Sequence, residues 1–230
     1  MGSTYGQFCP VARAMELLDE RWTLLVIREL LAGSRHFNQL RRGVPRMSPA
    51  LLSKRLRTLA SAGVVERQED GDRVTYELTP AGRELHEVVE ALGTWGTRWM
   101  PELGDDHLDP KLLMWDIHRN LDLDALPSGR TVLAFHLHDA SPRTRDWWIV
   151  ATGGEVDLCD DDPGHEVTAR LESSLSTLTH LWIGEVDWAD ALRAGALEVH
   201  ASQDVRRRLP TWLTLSDFAS VPRPAGAPPG

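Results

Sequence analysis

Turn-forming residues cut positions 33–80 into short pieces, and their order constrains the fold more than any other feature of the chain. Gly33 ends an apolar run, Gly43-Val44-Pro45 forces a turn, and Ser48-Pro49 supplies a helix N-cap and a first helical residue. Gly63 stands where a left-handed C-cap would close that helix. Two alternating runs, Val64-Val65-Glu66-Arg67 and Val74-Thr75-Tyr76-Glu77-Leu78, flank Asp70-Gly71, a signal for a tight hairpin. A short helix, a turn, a second helix and a hairpin, in that order, predict a winged helix-turn-helix.

Charge suggests a task for the second helix. Between Arg21 and Arg57 stand nine basic residues (Arg21, Arg28, Arg35, Arg41, Arg42, Arg46, Lys54, Arg55, Arg57) and one acid, Glu29, inside a chain of net charge −9. Leu52, Leu56 and Leu59 form an inner stripe, which leaves Ala50, Leu51, Lys54, Arg57, Thr58 and Ser61 outward and Arg55 at the border. The major groove admits a helix and displays distinguishable base edges. Ser48, Lys54, Arg55 and Arg57 are therefore candidate DNA contacts, with Arg41, Arg42 and Arg73 for phosphate. A solvated amphipathic face would explain one basic helix alone; the turn before it and the hairpin after it favour DNA. Glu69, Asp70 and Asp72 surround Arg73 and repel phosphate, so the wing is expected to contribute weakly.

Cys9-Pro10 opens an earlier helix with Val11, Met15 and Leu18 on one face. Residues 22–31 form a mostly apolar helix, and residues 37–42 a short one with Phe37 and Leu40 inward. Thr79-Pro80 starts a long helix reaching about Leu103, with Leu85, Val88, Val89, Leu92, Trp95 and Trp99 at helical spacing. A helix this apolar at the edge of a small domain needs a partner. A second copy of the chain is preferred over the C-terminal half, because paired recognition helices read two half-sites about a two-fold axis.

Cys9-Pro10-Val11-Ala12-Arg13-Ala14 and Glu20-Arg21-Trp22-Thr23-Leu24-Leu25 resemble HxlR-type transcriptional regulators. So do His36-Phe37-Asn38-Gln39-Leu40, Ser48-Pro49-Ala50-Leu51-Leu52-Ser53-Lys54-Arg55-Leu56, Ala62-Gly63-Val64-Val65 and Tyr76-Glu77-Leu78-Thr79-Pro80-Ala81-Gly82. The resemblance implies a dimeric winged-helix regulator that reads DNA with the helix after Ser48. The chain departs from the family in its short, acidic wing and in His36, where arginine is common. The resemblance also implies a redox candidate, since Cys9 matches a cysteine that senses oxidants or electrophiles in some members. Unpaired N–H groups at a helix start stabilise a thiolate; the alternative, a small buried hydrophobe, is preferred because sensing requires an accessible thiol.

The two halves differ in charge. Residues 1–100 carry 14 basic and 12 acidic side chains, and residues 101–230 carry 11 and 22. That asymmetry argues for two units with different partners. Expected boundaries are residues 1–103 for the DNA-binding and dimerisation domain, a polar linker over 104–110, a second domain over 111–220, and a Pro/Gly/Ala-rich disordered tail over 221–230. Cys9 and Cys159 make no disulfide or zinc framework. No apolar run approaches the roughly 20 residues that cross a bilayer, and the N-terminus lacks secretory-signal character. A cytoplasmic protein without membrane contact is expected.

Residues 111–220 read as mixed α/β, so the whole chain is α+β. Strands are expected over 131–138, 147–150, 155–159, 167–171 and near Leu197, with a Gly153-Gly154 hairpin and helices over 174–183, after Asp187, and from an Asp204 cap through Trp212. Trp148-Ile149-Val150, Gly154-Glu155-Val156-Asp157-Leu158-Cys159 and the run from Trp188 to Val199 resemble the sterol carrier protein-like fold. That resemblance implies an apolar tunnel between sheet and helices for a lipid-like or aromatic molecule. Six of the nine tryptophans fall in this half. Trp115, Phe135, Trp147, Trp148, Trp182 and Trp188 are the candidate ligand-lining residues, weighed against a plain aromatic core.

Catalysis and metals find little support. His136 and His138 share a strand face without further ligands at fixed spacing, and Asp160-Asp161-Asp162 is too short a turn for calcium. No glycine loop or nucleophile elbow is present. The expectation is a non-enzymatic, cofactor-free homodimer that binds double-stranded DNA and answers to an apolar small molecule. The rivals are a redox regulator acting through Cys9 and a carrier of hydrophobic ligands.

Overall fold

The computed structural model describes residues 4–225. It contains two compact units, Met1–Thr94 and Trp95–Gly230.

The first unit runs α1 (Pro10–Leu18), α2 (Thr23–Leu31), α3 (Phe37–Gly43), α4 (Pro49–Ser61), β1 (Val65–Asp70), β2 (Arg73–Leu78) and most of α5 (Pro80–Trp99). Val26, Ile27 and Leu30 of α2, Leu40 of α3, and Leu52, Leu56 and Leu59 of α4 close on one another as its core, with Val64 and Val65 beneath them. Burying each such side chain is worth roughly 1.5–3 kcal/mol. The Ser48 hydroxyl accepts from the Leu51 N–H at 3.3 Å and starts α4, as its sequence position predicts. Gly63, at φ +72°, turns the chain out of α4. β1 and β2 pair antiparallel from Val65↔Leu78 to Asp70↔Arg73, around a Gly71-Asp72 loop. Gly82 lies where a Cβ would overlap the Val64 carbonyl oxygen, so α5 starts hard against the sheet. α5 stops at Trp99 rather than at the expected Leu103. Pro101 explains this, because proline disfavours helical backbone at the residue before it.

The second unit holds a one-turn 3-10 helix (Asp105–His107), α6 (Pro110–Arg119), β3 (Arg130–Leu137), β4 (Asp146–Thr152), β5 (Glu155–Cys159), β6 (Ala169–Ser173), α7 (Leu175–Trp182), α8 (Trp188–Arg193), β7 (Leu197–His200) and α9 (Gln203–Trp212). The five strands lie in the order β5-β4-β3-β6-β7, parallel only between β3 and β6. Leu133, Phe135, Leu137, Ile149 and Leu171 of the sheet join Met114, Ile117, Leu178 and Leu209 of the helices in one core. α6 begins inside the segment expected to be linker. Asp109 caps it by accepting from the N–H groups of Lys111 and Leu112, and Pro110 takes the first helical position. The cap of α9 is Ser202, not the expected Asp204; its hydroxyl accepts from Val205 N–H, leaving Asp204 in the first turn. Of the expected tail, residues 221–225 are described and Arg223 is bonded within the unit; residues 226–230 lie outside the described residues.

Candidate nucleic-acid interface

With Leu52, Leu56 and Leu59 fully buried, α4 turns Ala50, Lys54, Arg57, Thr58 and Ser61 outward, all exposed. Ser48 is exposed too, but its oxygen is engaged as the helix cap. Arg41 and Arg42 stand exposed in the last turn of α3, and Arg73 is exposed at the start of β2.

Arg55 does not belong to this face. Its side chain is 7% exposed and pairs with Glu20. Its Nε donates to the Arg21 carbonyl at 3.1 Å. At about 100° per residue, position 55 lies only about 40° from Leu59 and on the inner side of the helix. The arginine therefore fastens α4 to the α1–α2 turn and cannot reach a groove from there.

Two further locks were hidden within the basic window. Glu29, its single acid, is fully buried. Arg28 donates to that carboxylate at 2.8 Å and to the Gly43 carbonyl at 2.9 Å, tying α2 to the end of α3. Gly43 makes room, since a Cβ there would overlap the Glu29 carboxyl group. His36 is the second lock: its Nδ1 lies 3.3 Å from the Val74 carbonyl. Beside it the Arg35 carbonyl accepts from Tyr76 N–H at 2.8 Å, fixing the hairpin to the start of α3. Two of the residues in these locks, Arg28 and Arg55, are engaged within the unit although both belong to the basic window.

At the hairpin, Arg67 pairs with Glu69. That hydrogen bond raises the Arg67 pKa above its ordinary value. Asp70 and Asp72 are exposed beside Arg73.

Apolar surface is left uncovered on two helices. No residue of α1 is buried, and Phe8, Val11 and Met15 are exposed, Phe8 at 98%. On α5, Leu85 and Val89 pack on the first unit's core. Val88, Leu92, Trp95 and Trp99, spaced four, three and four apart, are each more than two-fifths exposed. Cys9 is half-buried at the N-cap of α1. The arm before it is held by Thr4 Oγ1 on Glu16 at 2.6 Å and by the Tyr5 hydroxyl on Asp19 at 2.5 Å. The bond to Asp19 raises the Tyr5 phenol above its ordinary value.

In the second unit, four of the six expected ligand-lining residues are packed core. Trp115, Phe135, Trp147 and Trp182 are between 2% and 6% exposed. Trp115 stacks on His118, Trp147 Nε1 donates to the Thr144 carbonyl, and Trp182 Nε1 donates to Asp116 at 2.7 Å. These four side chains are packed against protein. Trp148 and Trp188 are half-buried. His136 is paired with Asp146 at 2.7 Å and His138 is exposed. Among the described residues, Glu172, Glu198 and His200 bring ligand-type atoms within 4.8 Å of one another on the β6–β7 surface. No helix among the described residues is long and apolar enough to cross a membrane.

A helix-turn-helix with a paired hairpin and a basic outward helix defines a DNA-binding fold. The sequence profile of the HxlR-like helix-turn-helix family matches residues 17–103. An HTH-type transcriptional regulator of Mycobacterium tuberculosis is 40% identical in an alignment of 119 positions that covers 45% of this chain and 73% of that protein. YodB of Bacillus subtilis, also an HTH-type transcriptional regulator, is 34% identical over 109 residues, 46% of this chain and 94% of its own. The reduced form of YodB superposes at a TM-score of 0.37 and 32% identity, over 43% of this chain and 100% of that one. The chain belongs, through its N-terminal region, to the HxlR-type helix-turn-helix transcriptional regulators.

Proposed function

We propose that the protein is a cytoplasmic, homodimeric regulator that lays α4 of each copy in the major groove of a two-fold operator. The carrying observation is the outward face of α4, where Lys54 and Arg57 are exposed directly opposite three fully buried leucines. Ser48, Arg41, Arg42 and Arg73 are the accompanying contacts, the last three to phosphate. The uncovered stripe from Val88 to Trp99, with Phe8, Val11 and Met15 of the N-terminal arm and α1, supports burial against a second copy. The second unit, a mixed sheet with helices packed on its core face, is taken as a sterol carrier-like domain that binds an apolar small molecule. Its ligand acts by preferring one spacing of the two recognition helices, because only differential affinity shifts such an equilibrium. Hydroxyl-radical footprinting on a selected operator tests the dimeric reading. Two protected patches about 10–10.5 base pairs apart, or a multiple of that, are expected; one patch bound by one chain excludes it.

A second reading is favoured by Cys9 at the start of α1, half-buried and not sequestered in the core. In it, oxidation of that thiol alters DNA binding and the second unit is architectural. A Cys9→Ser chain that still loses operator affinity after diamide treatment excludes this reading.

A further inference from the structure

The second unit carries a cleft of about 850 Å³ away from the tryptophan core. Met100 and Leu103 at the end of α5 and just beyond it form one wall, Ile183 and Val186 after α7 another, and Phe218 of the C-terminal segment a third. Sites for small organic ligands run from roughly 300 to 1,000 Å³ and are mostly apolar with a few polar groups.

The C-terminal segment is strapped in place at two points. Ala219 lies against Gly184, whose φ of +81° and missing side chain allow the approach. Arg223 donates to the Met100 carbonyl at 2.6 Å and lies 3.4 Å from Glu185. Arg223 is the one lysine or arginine in the lining, against the carboxylates of Glu102 and Glu185. Its guanidinium is already engaged, and His180 Nε2 lies 3.6 Å from the second oxygen of Glu185. An anion entering here meets excess negative charge and a cation already paired.

We propose that this cleft is the effector site of the C-terminal unit and takes an apolar molecule that carries positive charge. The proposal rests on the reading of that unit as ligand-responsive. A bound molecule would lie against the last turn of α5. Earlier turns of that helix place Leu85 and Val89 on the DNA-binding unit's core and carry the exposed stripe from Val88 to Trp99. Differential contact with that turn, and with the Arg223 bond to Met100, gives the ligand a handle on the element proposed to join two copies.

Equilibrium dialysis of the full chain against tetraphenylphosphonium and tetraphenylborate, alike in bulk and opposite in charge, tests the site. One saturable cation site per chain is expected, about tenfold or more tighter than any borate binding. Val186→Trp, which fills the cleft, should abolish it. Glu185→Gln should weaken it severalfold while the circular dichroism spectrum is unchanged, and it decides the matter if the tryptophan variant does not fold. Equal affinity for both ions, no saturable uptake of the cation, or full affinity in a folded Glu185→Gln chain overturns the proposal. A different small molecule that still alters DNA binding by Val186→Trp would remove the cleft as the site and leave the ligand-responsive reading standing.

Discussion

Arg55 and Lys54 are neighbours in sequence with opposite expected roles. Arg55→Ala removes a buried donor from the Arg21 carbonyl and from Glu20. It should lower stability by about 1–3 kcal/mol in urea unfolding, since hydrogen bonds of a charged group and the packing of a buried arginine stem are lost together. Lys54→Ala is exposed and should leave stability within about 0.5 kcal/mol, while lowering the slope of log affinity against log salt by about 1 if the ammonium meets a phosphate. Tyr5 supplies a test by pH. Its phenol is raised by Asp19, so the contribution of that bond is complete below the ordinary phenol value of about 10 and is lost as pH rises through the higher folded value. Absorbance titration at 295 nm should show this tyrosine ionising late, and Asp19→Asn should return it toward the ordinary range. The inner stripe of α4 was legible because leucines at positions 52, 56 and 59 mark one face without ambiguity. The fate of Arg55 was not, since a border position can be settled only by whether a partner such as Glu20 comes within reach across 35 residues.

α5 is the element on which the proposed assembly turns. Its exposed residues repeat at four, three and four, the seam of a helix that packs against another. If the proposed dimer forms through this seam, Leu92→Glu should give a monomer in sedimentation equilibrium and leave the chain folded, because Leu92 is 49% exposed in a single copy. A folded variant that stays dimeric would move the interface elsewhere. The wing is the weaker element. Arg73→Ala should reduce operator affinity by no more than a few-fold, given Asp70 and Asp72 beside it; a loss as large as that from Arg57→Ala would show that the hairpin reaches DNA after all. The helices and hairpin of the first unit were legible from caps, glycines and periodicity. α6 was missed although Asp109-Pro110 is an N-cap followed by a first-turn proline, because the polar residues before it read as linker.

Across the whole molecule, the two units divide the charge, nearly balanced over residues 1–100 and strongly acidic beyond. The first unit presents Arg41, Arg42, Lys54 and Arg57 on α3 and α4 and engages Arg28 and Arg55 internally, so the surface offered to DNA is smaller than the sequence window suggests. In the second unit the aromatic content was legible, but its use was not. Burial of Trp115, Phe135, Trp147 and Trp182 depends on α6, α7 and the sheet closing together, and spacing along the chain carries no record of that closure. The cleft arises likewise from segments around Met100, Ile183 and Phe218 that only folding brings together. The most direct trial of the DNA-binding face is fluorescence anisotropy of the full chain on a duplex selected from a random pool, across a salt series, beside Lys54→Ala/Arg57→Ala. The double variant, folded and dimeric, should bind at least about tenfold more weakly and with a shallower salt slope. An affinity and slope unchanged by removing both side chains would mean that α4 does not face the duplex.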